Sequence, residues 1–298
     1  MNSAETRQKG VTRRDFIKGT AAGAVGGLLV GAAGTALAAA SPDPAPAKSG
    51  RGFYRPLSAE LVQMRGHEGD TIEAYLARPA GTGPFPGVVV VHHMPGWDEP
   101  SIEIVRKFAH HGYVALCPDL HFREGKGSPD ANSASVRDAG GMPDNRSMGD
   151  VDSAIRYLRT LPYLNGKVGI IGYCSGGRQV YLAACTLKGI DAAVACYPGG
   201  VGAGSEGLTP RQPIDPLDLT KDMAAPLLRL FGKEDKRPSP EHAAKIEAEL
   251  KKLGKTHELH SYDKAGHGFF WVGSNNYRPE AATDGWKKVF QWYEKYLR

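Results

Sequence analysis

The sequence predicts a single α/β domain built on a doubly wound, mostly parallel sheet flanked by helices. Three observations carry that prediction. Short continuous apolar runs such as "GVVVVHHM" and "KVGIIGYC" have the length and composition of strands buried on both faces. Segments with helical spacing, such as "GDVDSAIRYLRTLP", stand between them. The two kinds alternate down the chain with no internal repeat and no second composition regime, the pattern of βαβ units.

In chain order, "IEAYLARP" alternates as a half-buried strand, and "GVVVVHHM" follows as a buried one. "PSIEIVRKFAHHG" has helical spacing and stops at Gly112, and "YVALCPDL" is a strand ended by Pro118. "GDVDSAIRYLRTLP" places Val151, Ala154, Ile155 and Leu158 on one helix side. "KVGIIGYC", "GIDAAVACYPG" and "APLLRLFG" are three more buried strands. "SPEHAAKIEAELKKLG" has a helix start at Ser239-Pro240 and a stop at Gly254. "THELHSYDKAGH" is a strand leading into a loop, and "PEAATDGWKKVFQWYEKYL" is a closing helix.

The first 40 residues read as an address. "TRRDFIKG" sets Arg13 and Arg14 before an Ala/Gly-rich, weakly apolar stretch, with A-x-A sites at Ala36, Ala38 and Ala40. This resembles a twin-arginine export signal, which a receptor reads and which is no anchor; it implies export machinery as a partner and a periplasmic or secreted protein. So many Gly and Ala residues disfavour a permanent membrane span. Residues 41–56, beginning "SPDPAPAKSG", form a linker without hydrophobic period, and the domain occupies 57–298.

The formal net charge of +5 over 298 residues comes largely from that N-terminus, where five basic residues face two acidic ones. No Lys/Arg block with interleaved aromatics follows, so no nucleic-acid partner is expected. Cys117, Cys174, Cys185 and Cys196 allow at most two disulfides in an oxidising compartment, and their spacing is no metal framework. His92 and His93 point to opposite faces of a strand, and His110 and His111 close a helix, so no metal is expected. No phosphate loop or G-x-G-x-x-G follows a strand, so no nucleotide cofactor is expected either.

The chemistry concentrates in "GIIGYCSGGRQV". Gly172-Tyr173-Cys174-Ser175-Gly176 has the G-x-S-x-G form with cysteine at its apex. Cys174 is either a nucleophile at a helix N-terminus, where the macrodipole favours thiolate, or a small apolar residue between glycines. Two later segments favour the first. Asp235 follows the strand "LLRLFG" by three residues, and His267 lies between glycines in "DKAGHGFF". Nucleophile, acid and histidine thus come in the order of α/β-hydrolases, each just past a strand end.

From about Leu61 onwards the chain resembles the dienelactone hydrolase family, α/β-hydrolases with a cysteine nucleophile. The resemblance rests on "VVVVHHMPGW", "HGYVALCPDL", "GDVDSAIRYLR", "GYCSGG", "FGKED" and "AGHGFF". It implies hydrolysis of an ester or lactone, as by a carboxymethylenebutenolidase, through a Cys174 thioester. Cys174 would be the nucleophile, His267 the base and Asp235 the acid that orients it. The oxyanion hole would be the backbone N–H of Ser175 and, by the family pattern, that of Met94. Ser175, one residue past the apex, has a structural side chain.

The chain departs from the family twice. His93 stands where the family has a glutamate that interacts with the resting cysteine, and it could hydrogen-bond the thiol or stabilise a thiolate. Trp271 stands where a substrate-binding arginine is expected. Arg123, Arg137 and Arg146 lie in the Gly/Pro-rich insertion "REGKGSPDANSASVRDAGGMPDNRS", which could form part of a lid. The departures predict a preference for neutral, moderately apolar esters over small dianionic ones. A catalytically inactive binding protein on the same fold, or an acyltransferase, are the alternative functions.

Overall fold

The structure, a computed structural model, describes residues 56–298. The export signal expected over 1–40, and all but the last residue of the linker expected over 41–56, lie outside the described residues. The strands are β1 (Leu57–Arg65), β2 (Thr71–Pro79), β3 (Phe85–Val91), β4 (Val114–Pro118), β5 (Leu164–Tyr173), β6 (Ala192–Cys196), β7 (Leu227–Gly232) and β8 (His257–Tyr262). The α-helices are α1 (Glu99–His110), α2 (Pro129–Asp138), α3 (Asp144–Thr160), α4 (Ser175–Thr186), α5 (Pro240–Lys252) and α6 (Pro279–Leu297).

All eight strands form one sheet in the order β1-β2-β4-β3-β5-β6-β7-β8. β2 runs antiparallel to β1 and β4, and every later pairing is parallel. Side-chain alternation along β3 explains the two-sided burial. Val88 and Val90 join a cluster with Phe108 of α1 and Val289, Trp292 and Tyr293 of α6. Val89 and Val91 join the opposite cluster, with Ile155 and Leu158 of α3, Val180 and Tyr181 of α4, and Ile246 of α5. A fully buried valine contributes about 1.5–3 kcal/mol over an exposed one, so this continuous run anchors the sheet centre.

Capping residues set where the helices begin. The Asp98 carboxylate accepts from the Ser101 N–H at 3.1 Å to start α1, and Ser239 caps α5. Two elements depart from the sequence expectation. β1 carries no strand signal in the sequence, since its mostly exposed residues show no alternation; its ladder with β2, from Leu57–Pro79 to Arg65–Thr71, defines it. The Gly/Pro-rich insertion contains α2, whose first turn is capped by the Ser128 hydroxyl accepting from the Ala131 N–H at 3.3 Å.

Candidate active site

β5 ends at Tyr173, and α4 starts at Ser175, so Cys174 alone makes the turn. Its φ of 56° and ψ of −120° lie where side-chain-bearing residues are rarely found. The flanking glycines let the backbone around that turn pack closer than any Cβ would allow. A Cβ on Gly172 would sit 2.3 Å from the Gly176 carbonyl oxygen. One on Gly176 would sit 2.3 Å from the Val91 oxygen and 2.5 Å from that of His92. The Cys174 N–H donates to the Cys196 carbonyl at 3.1 Å, tying the turn to the end of β6.

Loops after β7 and β8 bring Asp235 and His267 to the same sheet edge. The Asp235 side chain is fully buried, and its Oδ2 is 2.9 Å from His267 Nδ1. Its Oδ1 accepts from the Arg237 N–H at 2.7 Å. With Nδ1 engaged, the other ring nitrogen of His267 is left for the thiol. Cys174 lines one cleft with His267, Ser175 and Met94, the groups that act on its thiol.

These contacts set the protonation states. Burial pushes the Cys174 thiol up, but the hydrogen bond and charge of His267, with the two N–H groups, outweigh it and lower it overall. Burial alone would lower His267; hydrogen bonds to Asp235 and Cys174 and the negative charge of both raise it to about 10. The pair therefore favours thiolate beside imidazolium.

His93 and Trp271 contact each other beside the cleft that holds Cys174. His93 Nε2 is 2.7 Å from Asp98 Oδ2, and its ring meets Trp271 edge-on with centroids 5.6 Å apart. Both line an apolar cavity beside the cleft that holds Cys174, not that cleft. His92 is structural: Nδ1 donates to the His93 carbonyl, Nε2 accepts from the Leu120 N–H, and burial pulls it down to about 4. Cys117, Cys185 and Cys196 are buried free thiols, each pushed up by burial. Among the described residues no group of three or more His, Cys, Asp or Glu could hold a metal ion.

The Cys174 cleft, of about 720 Å³, has Arg137, Lys236, Arg237 and Arg278 in its lining, against Glu234 and Asp235. Among the described residues no carboxylate comes within ion-pair distance of Arg137, Lys236 or Arg237. Arg123 and Arg146 are spent elsewhere: Arg123 pairs with Asp70 and the buried Asp150, and Arg146 with Glu124. Arg137, Lys236 and Arg237 thus bring cations to the cleft without an arginine at position 271.

Sequence reading missed Tyr197 and Asn276. Tyr197, at φ 37° after β6, packs its ring edge-on to His267 at 5.0 Å. Asn276 Nδ2 donates to the His267 carbonyl at 2.9 Å. The turn-forming "YPGG" after an apolar strand was the one available signal for Tyr197.

A doubly wound sheet with a strained turn after its fifth strand defines the α/β-hydrolase class, and the chain is an ester or lactone hydrolase of that class. The profile of the Dienelactone hydrolase family matches residues 72–297, and the chain belongs to that family. A Methylorubrum extorquens protein provisionally named carboxymethylenebutenolidase is 34% identical over 228 residues, 76% of this chain and 77% of that one. A Bradyrhizobium protein provisionally named 2-oxo-3-(5-oxofuran-2-ylidene)propanoate lactonase is 33% identical over 227 residues, 75% of this chain and 89% of that one. A crystal structure of a provisionally assigned dienelactone hydrolase from Klebsiella pneumoniae superposes with a TM-score of 0.74 at 28% identity, covering 81% of this chain and all of that one.

Proposed function

We propose that the chain hydrolyses a carboxylic ester or lactone through a thioester on Cys174, with His267 as acid and base and Asp235 as its orienting carboxylate. The observation that supports this most directly is that Cys174, on its positive-φ turn, lines one cleft with His267 and Asp235, whose Nδ1–Oδ2 hydrogen bond is 2.9 Å long, and with Ser175 and Met94. The thiolate attacks the acyl carbon, and the carbonyl oxygen, now negative, takes the two N–H donors. As the tetrahedral adduct collapses, the C–O bond breaks and His267 protonates the departing alkoxide. His267 then takes a proton from water as it attacks the thioester, the C–S bond breaks, and thiolate returns. Asp235 holds the imidazole by Nδ1 and stabilises its charged form throughout.

The test is mass spectrometry of protein mixed with 4-nitrophenyl acetate. An acetyl adduct on Cys174 that forms and decays, absent in Cys174→Ala, supports the mechanism. Unmodified protein with no turnover would leave an inactive binding protein, and decay only in the presence of an added alcohol or amine would identify an acyltransferase.

We further propose that residues 1–40 direct export by the twin-arginine route, on the strength of Arg13, Arg14 and the Ala/Gly stretch that follows. Replacing both arginines by lysine should retain the protein in the cytoplasmic fraction. Unchanged fractionation would overturn the export reading and leave the hydrolase untouched.

A further inference from the structure

We infer that the apolar cavity behind the nucleophile is a second binding site, for a neutral aromatic compound carrying one hydrogen-bond acceptor. The cavity holds about 550 Å³ between α1, α6 and the strand ends. No residue that lines it also lines the cleft holding Cys174. The partition is one residue thick: His93 and Tyr173 face the cavity, while their chain neighbours Met94 and Cys174 face the cleft.

Three features fix the ligand's chemistry. Ile104, Phe270, Trp271 and Trp286 give the walls aromatic and aliphatic faces, on which a planar ring gains both area burial and edge-to-face contact. Trp271, 40% exposed, and Val272, 71% exposed, place large apolar side chains in water at the same cavity, which a bound ring would cover. Tyr173 is 4% exposed, and its hydroxyl, fully buried, has no hydrogen-bond partner. A buried hydroxyl without an acceptor is unfavourable, and a carbonyl or ether oxygen on the ligand would satisfy it.

The charge of the rim selects against anions. Glu99 and Glu103 line it, and their shared partner Arg106 is not itself in the lining. The one lysine there, Lys107, is held over the Trp286 ring at 4.7 Å. A carboxylate entering this cavity would be repelled by two acidic side chains, whereas a neutral ketone would not be.

The probe is acetophenone, titrated calorimetrically into full-length protein whose Cys174 has first been alkylated with iodoacetamide, which caps the catalytic sulfur. The expected result is saturable binding at one site. Ile104→Trp, which fills the cavity from a half-buried position on α1, should abolish that binding while circular dichroism stays unchanged. Tyr173→Phe should weaken it about fivefold to tenfold, the loss of one neutral hydrogen bond. Benzoate should bind more weakly than acetophenone. Absence of binding to the alkylated protein, binding that survives Ile104→Trp in a folded variant, or tighter binding of benzoate would each overturn the inference.

Discussion

Replacing Gly176 by alanine should damage activity far more than one methyl group suggests. The new Cβ would stand 2.3 Å from the Val91 carbonyl oxygen and 2.5 Å from that of His92. Ordinary contact begins near 3.4 Å, so α4 and the end of β3 must separate by roughly 1 Å. Both opposing atoms are backbone, and no side chain can swing aside. The segment that must retreat leads directly to Met94, whose N–H acts on the Cys174 thiol. Overpacking of this kind costs about 1–3 kcal/mol, and each kcal/mol lowers Tm by about 3 °C in a domain of this size. A misplacement of about 1 Å at reacting atoms costs on the order of 100-fold in rate. The assay is kcat/KM with 4-nitrophenyl acetate alongside a thermal melt. Expected is a fall near 100-fold with a drop of about 3–9 °C in Tm. A variant with kcat/KM within about twofold of the parent would refute the steric reasoning, since its predicted loss is on the order of 100-fold.

Protonation should show in the alkylation of Cys174 by iodoacetamide. Its folded value is lowered, so thiolate should persist below the ordinary thiol range and be lost only on acidification through that lowered value. His267 is raised to about 10, so the alkaline limb of kcat/KM should fall near there as imidazolium is lost; a limb near neutrality would contradict the pairing. Asp235→Asn should shift that limb to lower pH and reduce kcat more than KM, whereas an unmoved limb would show that the carboxylate does not hold the imidazolium. Asp144→Ala leaves Arg178, buried and otherwise bound at 2.5 and 3.0 Å to that carboxylate, without its partner. Urea denaturation should then show a loss of about 3–5 kcal/mol, and a loss under about 1 would mean the pair is dispensable. With Arg137, Lys236 and Arg237 unpaired along the cleft, a carboxylate-bearing dienelactone should exceed a neutral aryl ester in kcat/KM at low salt and lose that advantage as salt rises. A salt-independent preference for the neutral ester would support the expectation drawn from Trp271.

Much of this was legible in the sequence because the relevant forces are local. Val88–Val91 announce a two-faced strand by composition alone, and Gly172 and Gly176 announce a turn that tolerates no Cβ. Asp235 and His267 could be located because each follows a strand end by a few residues, where a doubly wound sheet places its chemistry. What escaped is tertiary. That His93 binds Asp98 and leans on Trp271 depends on how α1 docks, which spacing does not reveal. Arg137 enters the cleft because α2 folds within a stretch whose glycines and prolines read as loop. β1 is held by a backbone ladder whose exposed side chains carry no periodic signal.

The placement of Cys174, Asp235 and His267 after β5, β7 and β8 has a consequence for when the thiol becomes reactive. During synthesis the cysteine emerges first, and its helix and strand can pack while both partners are still missing. Until β8 zips along β7, from Leu227–His257 to Gly232–Tyr262, no imidazole stands near the sulfur. Burial, which pushes this thiol up, is then opposed only by the Ser175 and Met94 N–H groups and not by the hydrogen bond and charge of His267. A nascent chain in which β5 and α4 have packed but β8 has not therefore carries a less reactive cysteine than the finished site does. Full reactivity arrives with the last strand, so the chemistry itself reports completed folding.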